Sequence, residues 1–289
     1  METLLAPFAY AFFTKGLFVA TLAGGLCGLI GVYITLRGMS YIGHGLSHAI
    51  FGGFAASSVI NVNYYLGAGI WGLASALAIN KVTRSRAIGA DAAIGVITTS
   101  SFALGVALLT YYGSKGPSFD AALFGSIIGV SSGDVWALTA ITIFTVVVIA
   151  LNYRALLFAT FDPDVADVSG VKVARTDALL MLILSLAILA TLSIIGVTLV
   201  AATLIIPAVV ARMITNRFST MLWLSSLIGA VSGFIGMNLS YHLDVPSGTM
   251  IVLTGALAFC VVLMATGGRR LSRTAATAKR PEVAATGVA

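Results

Sequence analysis

Of the 289 residues, 59% are hydrophobic and only 9% charged, against about 25% charged in an ordinary soluble domain. A mean hydropathy of +1.04, with apolar runs long enough to cross a bilayer, excludes a soluble globular chain and marks an integral membrane protein. The net charge of +6 argues against nucleic acid by its placement: Arg269, Arg270, Arg273, Lys279 and Arg280 against Glu282 supply four of the six, and the other bases lie mostly in short loops, the positive-inside pattern.

The apolar runs are continuous rather than alternating, which argues against a closed barrel. Helices remain, because in lipid every backbone N–H and C=O must be paired within its own segment. In chain order the runs fall at 14–36, 40–60, 63–80, 88–112, 134–153, 176–195, 197–215, 220–241 and 247–267. The expected fold is all-α and polytopic, with about 8–9 transmembrane helices, one short re-entrant or interfacial helix and one short cytoplasmic helix.

The N-terminal "METLLAPFAYAFF" has no basic residue before Lys15, so the first run reads as a retained helix rather than a cleaved signal peptide. It contains Gly24-x-x-x-Gly28, a small-residue spacing suited to close helix packing. Cys27 and Cys260 both lie in apolar runs and read as small buried hydrophobes.

The second run opens with "RGMSYIGHGLSHAIFGGF", where His44 and His48 stand four apart. On a helix they share a face and can hold one cation, with Ser47 adjacent. Histidine inside a span usually faces a cavity or a partner. Two interfacial imidazoles satisfied by water and backbone carbonyls is an equally open reading. Asp91 begins the fourth run, where it is a cap or a weaker metal candidate. "AALFGSIIGVSSGD", 121–134, is too short to cross and is expected to be the re-entrant or interfacial helix.

The longest loop between spans carries "FDPDVADVSGVKV", 161–173. Asp162 is a good N-cap, Pro163 a good first helical residue and Gly170 a good stop, predicting a two-turn helix with Phe161, Val165 and Val168 as its apolar contacts. Pro207 is expected to kink the seventh run. "SYHLDVPSGTMIVL", 240–253, reads as a turn between the last two runs, with Asp244 a weak gate candidate and His242 structural. Arg37, Lys81, Arg84, Arg86, Arg154, Lys172, Arg175, Arg212, Arg217 and the tail all fall on one side if the N-terminus is outside and the C-terminus cytoplasmic; Lys15 and Lys115 are the exceptions. Residues 1–268 are expected to form the membrane domain and 269–289 a basic, disordered tail. The chain carries no Gly-x-x-x-x-Gly-Lys-Ser/Thr phosphate loop.

Together "GHGLSHA", "DAAIGVITTSSFALGV", "LFGSIIGVSSGD", "FDPDVADVSGV", "GVTLVAATLIIPAVVARMIT" and "LSYHLDVPSGTMIVL" resemble, in order and spacing, the permease subunits of ABC importers for zinc, manganese and iron, the ABC-3 family. The resemblance covers residues 10–267. It implies a homodimer with its path at or near the subunit interface, a separate cytoplasmic ATP-binding subunit pair docked on the loop matching 161–171, and an extracytoplasmic metal-binding protein. Phe161, Asp162, Pro163, Asp164, Val165 and Gly170 are then the ATPase-coupling residues. The family's second-helix motif, Gly-Asp-x-Leu-Ser-His, is met at His48, whereas His44 stands where that family usually has aspartate. Paired imidazoles suit zinc, nickel or copper as well as manganese. The expectation is therefore a cell-membrane permease, itself not an enzyme, with manganese or zinc as cargo and no permanently bound cofactor. A permease for chelated iron, haem or cobalamin is one rival. A secondary metal transporter is another, and the scarcity of acids in the spans counts against it.

Overall fold

The computed structural model describes residues 6–84, 90–112, 119–126 and 130–278. Among them there is no strand, and every expected apolar run is a helix. In chain order the helices are α1 (Ala11–Leu36), α2 (Ser40–Val59), α3 (Tyr64–Arg84), α4 (Ala90–Tyr112), α5 (Phe119–Phe124), α6 (Ser132–Leu151), α7 (Tyr153–Phe161), α8 (Pro163–Val168), α9 (Val173–Ile195), α10 (Val200–Ile214), α11 (Phe218–Leu243) and α12 (Ser247–Ala278). Six of the long helices (α1, α4, α6, α9, α11 and α12) are long and apolar enough to cross a membrane, and α10 is a shorter apolar helix. The chain is a multi-pass, all-helical membrane protein.

Three expectations are adjusted. The short helix in 121–134 begins earlier and is briefer: α5 ends at Phe124, where Gly125 turns to φ +78°, and Ser131 then caps α6 through a reciprocal pair of bonds with Asp134. The last helix continues to Ala278, beyond the apolar run expected at 247–267; residues 279–289 lie outside the described residues. Cys27 is buried as expected, but Cys260 is exposed on the helix surface.

Helix α1 is the axis of the bundle. Lipid offers no hydrophobic reward for bringing helices together, so close packing and hydrogen bonds must do it. The Gly24/Gly28 spacing serves that purpose: a Cβ at Gly24 would overlap the backbone of Gly229 on α11, and one at Gly28 the backbone of Ser225. At that contact Ser225 Oγ donates to the Gly28 carbonyl at 2.6 Å and Ser226 Oγ to the Gly25 carbonyl at 2.9 Å. Residue numbers rise on α1 as they fall on α11, so the two run antiparallel.

The two ends of the bundle differ. At one end, here the basic end, Arg37 after α1 meets Thr160 on α7 and Asp177 on α9. The rings of Tyr33, Tyr153 and Phe161 surround Phe218 at the start of α11. At the far end, three chain segments interlock. Ser126 N–H donates to the Ser193 carbonyl at 3.1 Å, Thr198 Oγ1 to the Leu123 carbonyl at 2.7 Å, and Ser247 Oγ to the Ile194 carbonyl at 2.7 Å.

Candidate functional site

His44 and His48 lie on the first turns of α2, nearer the basic end. The sequence places them on one face, and the structure brings their rings together: Nε2 faces Nε2 at 3.2 Å, with centroids 4.4 Å apart. Two metal–nitrogen bonds of about 2.05 Å meeting at a tetrahedral angle would set their nitrogens about 3.3 Å apart. The pair is thus spaced to present two lone pairs to one small divalent cation.

Helix α2 is held firmly at this point. Gly45 lies against Ile94 and Thr98 of α4, and a Cβ at Gly52 would overlap the Ser101 backbone. Ser101 Oγ donates to the Ala49 carbonyl at 3.0 Å while accepting from Trp71 Nε1 of α3 at 2.7 Å. Three helices are therefore pinned beside His48. Phe102 of α4 meets the His48 ring edge-on at 4.5 Å, and half-exposed Tyr41 flanks His44 at 5.8 Å. His48 Nδ1 is buried and has no hydrogen-bond partner among the described residues.

The other expected site residues do not join the pair. Ser47 is fully buried and donates its hydroxyl to the His44 carbonyl at 2.8 Å, so it serves the backbone. Asp91 is in the first turn of α4, which runs parallel to α2, but its side chain lies outside the described residues. Asp244 is exposed at the far end, where it takes the left-handed conformation (φ 53°) that ends α11, and His242 is exposed two residues before it. Pro207 sits inside α10, which continues through it unbroken; lacking an N–H, it leaves the Thr203 carbonyl without its usual helical partner. Among the described residues no group of three His, Cys, Asp or Glu side chains is placed to hold a metal.

The loop at 161–173 folds as its caps dictate. Asp162 accepts from Val165 N–H at 3.0 Å, Pro163 is the first helical residue, and Gly170 takes φ +84° just past the end. Val171 N–H then closes back on the Ala166 carbonyl at 3.0 Å. The packing differs from the sequence expectation. Ala166 is the buried residue, against Ala159, Val173 and Val171. Phe161, Val165 and Val168 are 61%, 51% and 92% exposed. Periodicity over six residues is too short to say which face turns inward. An exposed apolar face on a capped, rigid helix outside the bundle is suited to contact with another protein.

Phe102, Trp71, Ser101 and the Arg37–Asp177 pair were not singled out from sequence as site residues. One signal was available for the last: Asp177 is an acid at the start of a long apolar run, at the same end as Arg37.

Comparison with known proteins places the chain among its relatives. The sequence profile of the ABC 3 transport family matches residues 9–266. "Manganese transport system membrane protein MntC" of Halalkalibacterium halodurans is 39% identical over 253 residues, covering 88% of this chain and 87% of that protein. The protein of the same description in Listeria monocytogenes is 37% identical over 255 residues, covering 88% and 91%. Among solved structures, "PsaBC from Streptococcus pneumoniae in complex with Fab" superposes with a TM-score of 0.79 at 32% identity, covering 88% of this chain and 91% of that one.

Proposed function

The chain belongs to the ABC 3 transport family, and from that premise we propose that it is the membrane subunit through which manganese ions enter the cell, driven by a separate ATPase. The observation that carries the cargo site is the pair of Nε2 atoms facing each other at 3.2 Å on α2. His44 and His48 hold the ion transiently, and water, backbone or a second subunit completes its shell. A transport site must bind weakly enough to release, and two protein ligands suit that better than a closed four-ligand cage.

The partners follow from membership of an ABC family. A pair of ATP-binding subunits docks on Val165 and Val168 of α8 and on Phe161 at the end of α7, α8 being fixed by Asp162, Pro163 and Gly170, with Asp164 on its first turn. An extracytoplasmic binding protein delivers the ion at the far end, where Asp244 stands. The working unit is a homodimer. The basic end is cytoplasmic, which puts the N-terminus outside and the C-terminus inside. Residues 1–268 are the permease domain, followed by a basic tail. Manganese is preferred because it is named for both manganese-system relatives; the two-imidazole donor set favours zinc as a competitor.

His48→Ala tests the site. Radiolabelled manganese uptake by the reconstituted complex is expected to fall at least about tenfold, the loss of one ligand bond or its orienting contact, while membrane insertion and ATPase association persist. Uptake near the wild-type level would remove the pair from the path. Competition by zinc, nickel and chelated iron in the same assay orders the cargo.

A further inference from the structure

Force on an exposed helix can reach a half-buried site through a contiguous connection of packed and hydrogen-bonded side chains. The basic end contains one. Ala166 of α8 packs on Ala159 of α7 and Val173 of α9, so α7, α8 and the first turn of α9 form one small body. Thr160 and Asp177 both belong to this corner, and both hold Arg37. Arg37 Nε donates to Thr160 Oγ1 at 3.1 Å, and Nη1 to Asp177 Oδ1 at 2.6 Å. The two charged side chains are only 8% and 18% exposed, so solvent and salt screen them little.

Arg37 is also the last residue before a joint. Gly38 follows at φ +67°, and a Cβ there would meet nothing within 4 Å. Glycine is required at this position by the backbone angle rather than by crowding. Met39 then caps α2, which begins at Ser40, and His44 follows one turn later. Between Arg37 and the histidine pair there are thus two non-helical residues, Gly38 and Met39, whose N–H groups bond back to the Thr35 and Ile34 carbonyls, and then continuous helix.

A second observation comes from the same turn of α1. Arg37 Nη2, Tyr33 Oη and Thr35 Oγ1 are all buried and have no hydrogen-bond partner among the described residues. Buried polar atoms are nearly always paired. Tyr33 Oη and Arg37 Nη2, four residues apart and so on one face, hold bonding capacity that a shifted arrangement of this corner can take up.

We propose that Arg37 is the positioning residue through which α8 moves the histidine pair. Displacement of the α7–α8–α9 corner passes through Thr160 and Asp177 to Arg37 and turns α2, together with α3 and α4 pinned to it, about Gly38. The inference rests on the reading of α8 as the ATPase contact.

The test uses the permease assembled with its ATPase pair in proteoliposomes, with metal-loaded binding protein supplied outside. Manganese uptake and ATP hydrolysis are measured on the same samples for Thr160→Val, Asp177→Asn and Arg37→Gln. ATP hydrolysis is expected to stay within about twofold, while uptake per ATP falls about tenfold or more, the size of a typical coupling energy between sites. Thr160→Ser, which keeps the hydroxyl, restores the ratio. Unchanged uptake per ATP in Thr160→Val and Asp177→Asn overturns the proposal. So does a parallel fall of uptake and hydrolysis that Thr160→Ser does not rescue, since that is a packing defect. Val168→Asp separates the two readings. If the ATPase still associates and hydrolyses normally on that variant, α8 is not its contact and the proposal falls with that reading. If association is lost there, α8 is upheld and the Arg37 set alone decides.

Discussion

The far end and the basic end of the bundle are held by different means. At the far end glycines bring backbone onto backbone, with the Thr198 and Ser247 hydroxyls bonded to carbonyls beside them: a Cβ at Gly125 would overlap Ile194, one at Gly196 would overlap Leu123 and Gly125, and one at Gly248 would overlap Ile195. Such a contact has one geometry and no rotamers to exchange. At the basic end the joint is made of side chains, an ion pair and a ring cluster around Phe218, with polar atoms left over. Long side chains can change partners without the backbone separating. A transporter that alternates its access needs one region that holds its shape and another that has somewhere to go, and the two ends of this chain differ in the way such a division would require.

The difference can be broken deliberately. The largest effect is expected from Gly196→Ala, where φ is +82° and the added methyl would also meet backbone. A left-handed penalty and a clash that no rotamer relieves should together cost about 3 kcal/mol or more. In detergent that lowers Tm by roughly 10 °C, and a shift of a degree or two would show that the far end is not rigid. Gly38→Ala has a similar backbone angle but open space around it, so it should cost only about 1 kcal/mol. Its signature is a larger loss of uptake than of Tm; equal and large losses would make Gly38 a second rigid joint. The smallest effect is expected from Ser247→Ala, which removes one bond to the Ile194 carbonyl. Hydrogen bonds between helices in membranes average about 0.6 kcal/mol, so a Tm shift of about 2 °C or less should result. A much larger shift would mean that side chains, not glycines, hold the far end.

What the sequence reveals here follows the range of the physics involved. The spans are legible because hydropathy is summed over about twenty residues. The ends of α8 are legible because Asp162, Pro163 and Gly170 act on backbone three or four positions away. The His44/His48 face is legible from helical spacing alone. The inward turn of Ala166 is not, because it depends on Ala159 and Val173 arriving from two other helices. Gly125 and Gly196 are 71 positions apart, and nothing local to either says that they meet. Arg37 is visible in the sequence as a topogenic charge, but its grip on Asp177 requires the fold.

The contact between the two imidazoles has a further consequence for how the pair lets go. When a proton rather than a cation lies between the Nε2 atoms, their 3.2 Å separation is a hydrogen bond from one ring to the other. Such a bond is worth about 1 kcal/mol net. On the proposed reading of this pair as the cargo site, each ring is the other's competitor for the ion. An arriving ion must displace that bond and its proton, and when a proton returns to one Nε2 the two rings satisfy one another again, which favours turnover over retention.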